Sequence, residues 1–127
     1  METSLKTTLL FLFSHTIYFT YNVLNAKNGE ALKFLGYQFQ SYWTYALATL
    51  LVATPILTIA NYTFASGFHI GHKSFDKIWT VIIFFVTTQI VSMTALSYFL
   101  LKELPSKGNL VGAALAFSGL FIAMVWK

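Results

Sequence analysis

The sequence predicts an all-α membrane protein with four transmembrane helices in a compact bundle. Of its 127 residues, 57% are hydrophobic and only 9% are charged, whereas soluble domains carry about 25% charged residues. The charged residues also leave four long uncharged runs, at residues 7–26, 34–72, 78–101 and 108–126. A helix needs about 20 mainly apolar residues to cross the hydrocarbon core, and it satisfies its own backbone hydrogen bonds there. An ordinary soluble fold is therefore excluded.

The first two runs predict helices over about residues 7–25 and 42–64. We expect the first to be an uncleaved span, because Leu-Asn-Ala at residues 24–26 is not a signal-peptide cleavage site. The second run is too long for one crossing and has no central turn that would allow two. Residues 34–41 are therefore interpreted as an interfacial entry, and residues 65–72 as a glycine-punctuated exit.

The last two runs predict helices over about residues 78–101 and 108–126. Trp79 opens the third helix and Trp126 closes the fourth, as amphipathic aromatic rings do at the headgroup level. The loops between helices are short, so consecutive helices should be antiparallel neighbours. Residues 1–127 are therefore expected to form a single transmembrane domain.

The lysines give no preferred orientation in the membrane. Orientation follows an excess of positive charge on the cytoplasmic side, and here both sides carry four lysines. Either insertion order or a partner sets the orientation, or copies insert both ways and pair antiparallel. The lysines are also scattered singly, so the net charge of +4 makes no basic stripe for nucleic acid. The two sets are Lys6, Lys73, Lys77 and Lys127, and Lys27, Lys33, Lys102 and Lys107.

Neutral polar residues within the first three spans predict a polar cavity. No Asp, Glu, Lys or Arg lies inside any span, so the usual intramembrane proton or cation relay has no carrier. The alternative use of these residues is interhelical hydrogen bonding, worth about 0.6 kcal/mol per contact; both interpretations stay open for His15. Such a cavity suits a neutral or anionic headgroup better than a bare cation. The expected substrate contacts are His15, Tyr18, Asn22, Asn61 and Gln89.

Two further features concern helix geometry. Pro55 lies in the middle of the second span and removes one backbone hydrogen bond, which gives either a plain kink or a hinge. The fourth span carries a stripe of small residues, the usual surface for close helix association in membranes. The stripe packs either against a helix of the same subunit or against its copy in a dimer. It consists of Gly108, Gly112, Ala116, Gly119 and Ala123.

Catalytic and cofactor motifs are missing from the sequence. Paired carboxylates, glycine-rich phosphate loops and an HExxH motif are absent, so we expect neither an enzyme nor a cofactor. His69 and His72 stand three residues apart, which alone is weak support for a metal site. No metal site is predicted.

The segment at residues 97–112, with Gly119 beyond it, resembles the closing part of drug/metabolite transporter superfamily repeats. In that pattern an acidic residue ends a helix, and the final helix carries two glycines seven residues apart; Glu103, Gly112 and Gly119 match. The four-helix length is similar to that of the small multidrug resistance branch, whose members act as antiparallel dimers. That branch has an essential Glu in the first helix, whereas this sequence has Ser-His-Thr at residues 14–16.

Together, the residues and the resemblance predict a small membrane transporter or flippase subunit. It would move a small polar or lipid-linked solute without using a membrane carboxylate. The alternative is a non-transporting scaffold or regulatory subunit of a larger complex. The expected partners are the lipid bilayer, a second copy or related membrane subunit, and a small solute or lipid headgroup. The expected location is a bacterial-type cytoplasmic (inner) membrane, with several crossings.

Overall fold

The computed structural model describes residues 2–126, except for the side chains of residues 120, 123 and 124. The described chain is mainly α-helical, which confirms the predicted all-α class. Its elements are α1 (Glu2–Gly29), β1 (Lys33–Phe34), β2 (Tyr37–Gln38), α2 (Tyr42–Phe75), α3 (Ile78–Leu101) and α4 (Lys107–Val125).

Helix α2 begins where the sequence predicts but ends eleven residues later than predicted. Its start at Tyr42 is fixed by Ser41, whose Oγ accepts a hydrogen bond from the backbone N–H of Thr44 at 3.3 Å. Residues 65–72 are helical, so their interpretation as a glycine-punctuated exit was wrong. The helix ends only at Asp76, which has a left-handed φ of 59° and donates its N–H to the His72 carbonyl.

The glycines of that segment serve close helix packing. A Cβ atom on Gly67 would lie 2.7 Å from Cε1 of Phe11, and one on Gly71 would lie 3.0 Å from Cγ1 of Val81. Both glycines are buried and stand one turn apart on the same face of α2. They let α1 and α3 approach the α2 backbone closely, and this packing compensates for the weak helix propensity of glycine.

A short antiparallel hairpin joins α1 to α2, within the segment expected to be an interfacial entry. Lys33 pairs with Gln38, and Phe34 pairs with Tyr37. The two-residue turn between them places Leu35 and Gly36 at positive φ. Such a conformation at both positions is typical of the tight turns that fit the twist of paired strands.

Helix α1 lies between α2 and α3 and packs against both. Helices α2 and α3 contact each other less extensively than either contacts α1. Helix α4 contacts only α3 among the described elements. The predicted compact bundle of four helices was therefore wrong in its arrangement, since three helices pack together and α4 lies outside them. In this arrangement α1 takes the place beside both α2 and α3, and α4 packs on α3 alone among the described elements.

Two of the described helices, Tyr42–Phe75 and Ile78–Leu101, are long and apolar enough to cross a membrane by length and composition. Large apolar side chains are exposed on their outer surfaces, among them Leu51 at 64% and Phe99 at 66% exposure. Extended apolar surface of this kind is typical of contact with lipid or with another protein.

Candidate binding cavity between three helices

A layer of four phenylalanine rings joins α1, α2 and α3. Phe11 is completely buried, and its ring centroid lies 5.4 Å from those of both Phe68 and Phe85. Phe64 completes the layer, with its centroid 5.1 Å from that of Phe85. This phenylalanine layer (Phe11, Phe64, Phe68, Phe85) fills the space between the three helices.

The space between this layer and the α2–α3 turn is tightly packed. A Cβ atom added to Gly71 would lie 3.2 Å from Cγ2 of Thr7, in addition to its contact with Val81. Thr7 and Val81 are both completely buried. The three helices are therefore closed at the end that carries the α2–α3 turn.

On the other side of the phenylalanine layer, the same three helices line an open cavity of about 330 Å³, hereafter the polar cavity. All five side chains predicted as substrate contacts line it, so residues distant in sequence converge on one space. Whether they bind a substrate stays a prediction. The lining residues are Ser14, His15, Tyr18, Asn22, Asn61, Phe64, Phe85, Gln89 and Met93.

His15 links α1 to α3 at the wall of this cavity. Its ring is 5% exposed, and its Nε2 lies 3.4 Å from Oγ1 of Thr88. The single hydroxyl proton of Thr88 is directed to backbone oxygens, with that of Phe85 at 2.8 Å. Which of the two atoms donates in this contact depends on the tautomer of the ring. His15 thus has an interhelical hydrogen bond as well as a place in the cavity wall.

Ser14 is a cavity residue that the sequence prediction missed. It is completely buried, and its Oγ has no hydrogen-bond partner within the described chain. Ser14, Tyr18 and Asn22 follow each other at intervals of four residues, which places them on one helix face. This spacing was the signal that would have identified Ser14.

The remaining polar side chains keep most of their hydrogen-bonding capacity. The Asn22 amide donates to the Tyr18 backbone oxygen at 2.9 Å, which leaves its own Oδ1 as an acceptor. Within residues 2–126, the Tyr18 hydroxyl and the side-chain amides of Asn61 and Gln89 make no hydrogen bond of their own. These groups remain available to an occupant of the cavity.

Pro55 lies inside α2, outside the cavity lining, and α2 continues through it. Because proline has no N–H, the Leu51 carbonyl lacks its usual helical donor. The nearby hydroxyls of Thr54 and Thr58 do not replace it, since they donate to the Leu50 and Thr54 carbonyls. The role of Pro55 as a hinge stays a prediction.

The hairpin end of α1 and α2 is held by a separate group of polar contacts. Thr49 donates to Oδ1 of Asn25 at 3.2 Å, and the Tyr45 hydroxyl donates to the Asn25 backbone oxygen at 3.4 Å. Lys27 donates to the Leu100 carbonyl at 3.5 Å and so connects the C-terminal ends of α1 and α3. Interhelical hydrogen bonds of this kind are a structural use of polar residues.

Helices α3 and α4 border an open groove of about 490 Å³, and Glu103 is one of its lining residues. The small-residue stripe of α4 borders this groove through Gly108 and Gly112. A Cβ atom added to Gly112 or Gly119 would meet nothing within 4 Å among the described atoms. At these two glycines the stripe is therefore not packed against a helix of the same copy. Ala116 is half-buried, and the side chain of Ala123 lies outside the described residues.

Comparison of the chain with protein-family models, with curated proteins and with solved structures finds no match. The chemistry of the polar cavity is therefore the basis on which its function has to be inferred.

Proposed function

We propose that this chain is a subunit of a membrane transporter or flippase that moves a small polar or lipid-linked solute. The observation that carries the proposal is the convergence of polar side chains from three helices on one cavity of about 330 Å³. Binding sites for small molecules typically combine apolar walls with a few polar groups and begin at about 300 Å³. The polar cavity meets both conditions.

The pattern of hydrogen-bonded and unpartnered polar side chains supports this proposal. A polar group buried without a partner costs free energy, so polar side chains in membrane helices usually bond to each other or to their own backbone. Many threonines of this chain do so, as Thr54 and Thr58 illustrate. The fully buried Oγ of Ser14 instead lines the polar cavity without a partner in residues 2–126, which favours a polar occupant.

The closed phenylalanine layer supports a pathway with access from one side at a time. A solute would reach the polar cavity from the side opposite the α2–α3 turn, and its release on the other side would require this layer to separate. Pro55, with the unpaired Leu51 carbonyl beside it, is the proposed hinge for that movement. No carboxylate lines the polar cavity, so the proposal includes no proton transfer by a membrane carboxylate.

We propose that the chain crosses the membrane four times. Two of the crossings are α2 and α3, which are long and apolar enough by length and composition, and the other two are α1 and α4. Helix α2 has 34 residues and is about 51 Å long, which exceeds a hydrocarbon core of about 30 Å. It would therefore tilt or project beyond the bilayer. A bacterial-type inner membrane and a second copy of the chain, placed on the open stripe of α4, complete the proposed setting.

A second candidate function is a non-transporting scaffold subunit of a larger membrane complex. The open α4 surface favours it, since Gly112 and Gly119 leave room for the backbone of another helix. In such a protein the polar cavity would contribute nothing to solute movement. Measurement of transport therefore separates the two candidates.

The decisive experiment is flux through proteoliposomes that contain the purified protein. The probes are radiolabelled myo-inositol, choline and glycerol 3-phosphate, together with a fluorescent phosphatidylcholine whose transfer between leaflets is followed by dithionite quenching. We expect at least one probe to move faster than in protein-free vesicles. The double variant with Asn61→Ala and Gln89→Ala should slow it about tenfold, as expected for the loss of one to two hydrogen bonds.

The matched control is Ser118→Ala, because Ser118 is exposed on α4 and donates to its own helix at Ala114. This variant should leave the flux unchanged. If neither the wild type nor His15→Ala moves any of the four probes above the protein-free background, the transporter proposal is refuted. The scaffold candidate would then stand.

A further inference from the structure

We propose that the polar cavity recognises an uncharged group with several hydroxyls, such as a sugar ring or a cyclic polyol. This inference rests on the proposed function and specifies the class of substrate. Among the described residues, no Asp, Glu, Lys or Arg lines the cavity. A charged ligand would therefore enter a low-dielectric space without a counter-charge, at high cost.

The cavity offers side chains that can both donate and accept hydrogen bonds. The Ser14 and Tyr18 hydroxyls and the Asn61 and Gln89 amides can each both donate and accept. They make no hydrogen bonds with their side chains inside the described chain, and the fully buried Ser14 Oγ is the strictest case. A hydroxyl group is the small uncharged partner with the same double capacity. Several such side chains around one cavity therefore match a ligand with several hydroxyls.

The cavity also has apolar surface and a small volume. Phe64, Phe85 and Met93 form an apolar part of the cavity wall. A sugar or cyclic polyol presents hydroxyls at its edge and C–H groups on its face, so it can use polar and apolar walls together. The cavity volume of about 330 Å³ lies at the small end of the range for ligand sites, which favours a single ring over a larger molecule.

The same chemistry is found in free polyols and in the headgroups of glycolipids, and the experiment separates these sources. Reconstituted full-length protein is tested with radiolabelled myo-inositol as the free polyol and with fluorescent glucosyl-diacylglycerol as the lipid. Choline, glycerol 3-phosphate and fluorescent phosphatidylcholine serve as charged probes. We expect myo-inositol or the glucosyl lipid to move faster than the charged probes, and the one that moves identifies the source.

The variant Ser14→Ala tests the assigned contact, with Ser92→Ala as its matched control. Both serines are buried, but Ser92 donates to the Thr88 carbonyl at 2.8 Å and does not line the cavity. Ser14→Ala should slow movement of the hydroxyl-bearing probe about three- to tenfold, as for the loss of one hydrogen bond. Its melting temperature without ligand should not fall, because no protein hydrogen bond is lost. Ser92→Ala should lower the melting temperature and keep the flux.

The outcomes separate this inference from the proposed function. Movement of charged probes alone would overturn the inference and leave the transporter proposal in place, whereas movement of no probe would overturn the transporter proposal itself. Unchanged flux in Ser14→Ala, or a loss of flux accompanied by a lower melting temperature, would refute the assigned role of Ser14. Retained flux in Ser92→Ala together with slowed flux in Ser14→Ala supports the inference.

Discussion

Substitution of Gly67 by alanine should destabilise the packing of α1 against α2. The added Cβ would lie 2.7 Å from Cε1 and 2.8 Å from Cδ1 of Phe11, well inside ordinary van der Waals contact. The Phe11 ring is fully buried, and the rings of Phe68 and Phe85 lie on it with centroids 5.4 Å away. It therefore has no free space into which to move.

The expected magnitude follows from two opposing terms. Alanine in place of glycine within a helix is favourable by about 1 kcal/mol, whereas forcing an extra methyl group into a packed core costs about 1–3 kcal/mol. Gly119→Ala is the matched control, because a Cβ there meets nothing within 4 Å among the described atoms, so the favourable term alone is expected. The difference in unfolding free energy between the two variants should therefore be about 2 kcal/mol, with Gly67→Ala the less stable.

The assay is thermal unfolding in a detergent that keeps the protein monomeric, followed by circular dichroism. Adding Phe11→Leu to the Gly67→Ala variant should recover part of the lost stability, because the smaller side chain relieves the contact. Equal stabilisation by Gly67→Ala and Gly119→Ala would refute the close approach of α1 and α2 at this position.

Three further predictions concern movement, assembly and orientation. Pro55→Ala restores a donor for the Leu51 carbonyl, so the melting temperature should rise and flux should fall; unchanged flux would contradict a hinge. Gly112→Leu should reduce cross-linked dimers in membranes without lowering the melting temperature in monomeric detergent, and an undiminished dimer yield would exclude this surface. The chain has no native cysteine, so Ser74→Cys and Glu30→Cys can report the two ends of the helices. Labelling of both from each side of the membrane is the outcome that dual topology predicts, whereas one-sided labelling rules it out.

The positions of the helices were largely determined by the sequence alone. The predicted third helix, residues 78–101, agrees with α3, because Lys77 and Lys102 interrupt the apolar run and lie at its two caps. The predicted fourth helix differs from α4 by one residue at each end. Length, hydropathy and flanking charge are local properties, so they can be read without knowledge of the neighbouring helices.

The convergence of polar side chains was also predictable to a large extent. His15, Tyr18 and Asn22 share one face of α1 through helical spacing alone, and all three line the polar cavity with Asn61 and Gln89. Spacing within one helix predicts which side chains share a face of that helix. It does not predict which other helix that face contacts.

Only the tertiary structure decided the packing. In the sequence, Gly67 and Gly71 suggested an exit from the second span, but the side chains that give them a packing role, Phe11 and Val81, belong to other helices. The hydrogen bond between His15 and Thr88 joins residues 73 positions apart, and α4 has α3 as its one neighbour among the described elements. Local sequence fixes helical periodicity and hydropathy, whereas close packing depends on the shapes of side chains that are distant in the chain.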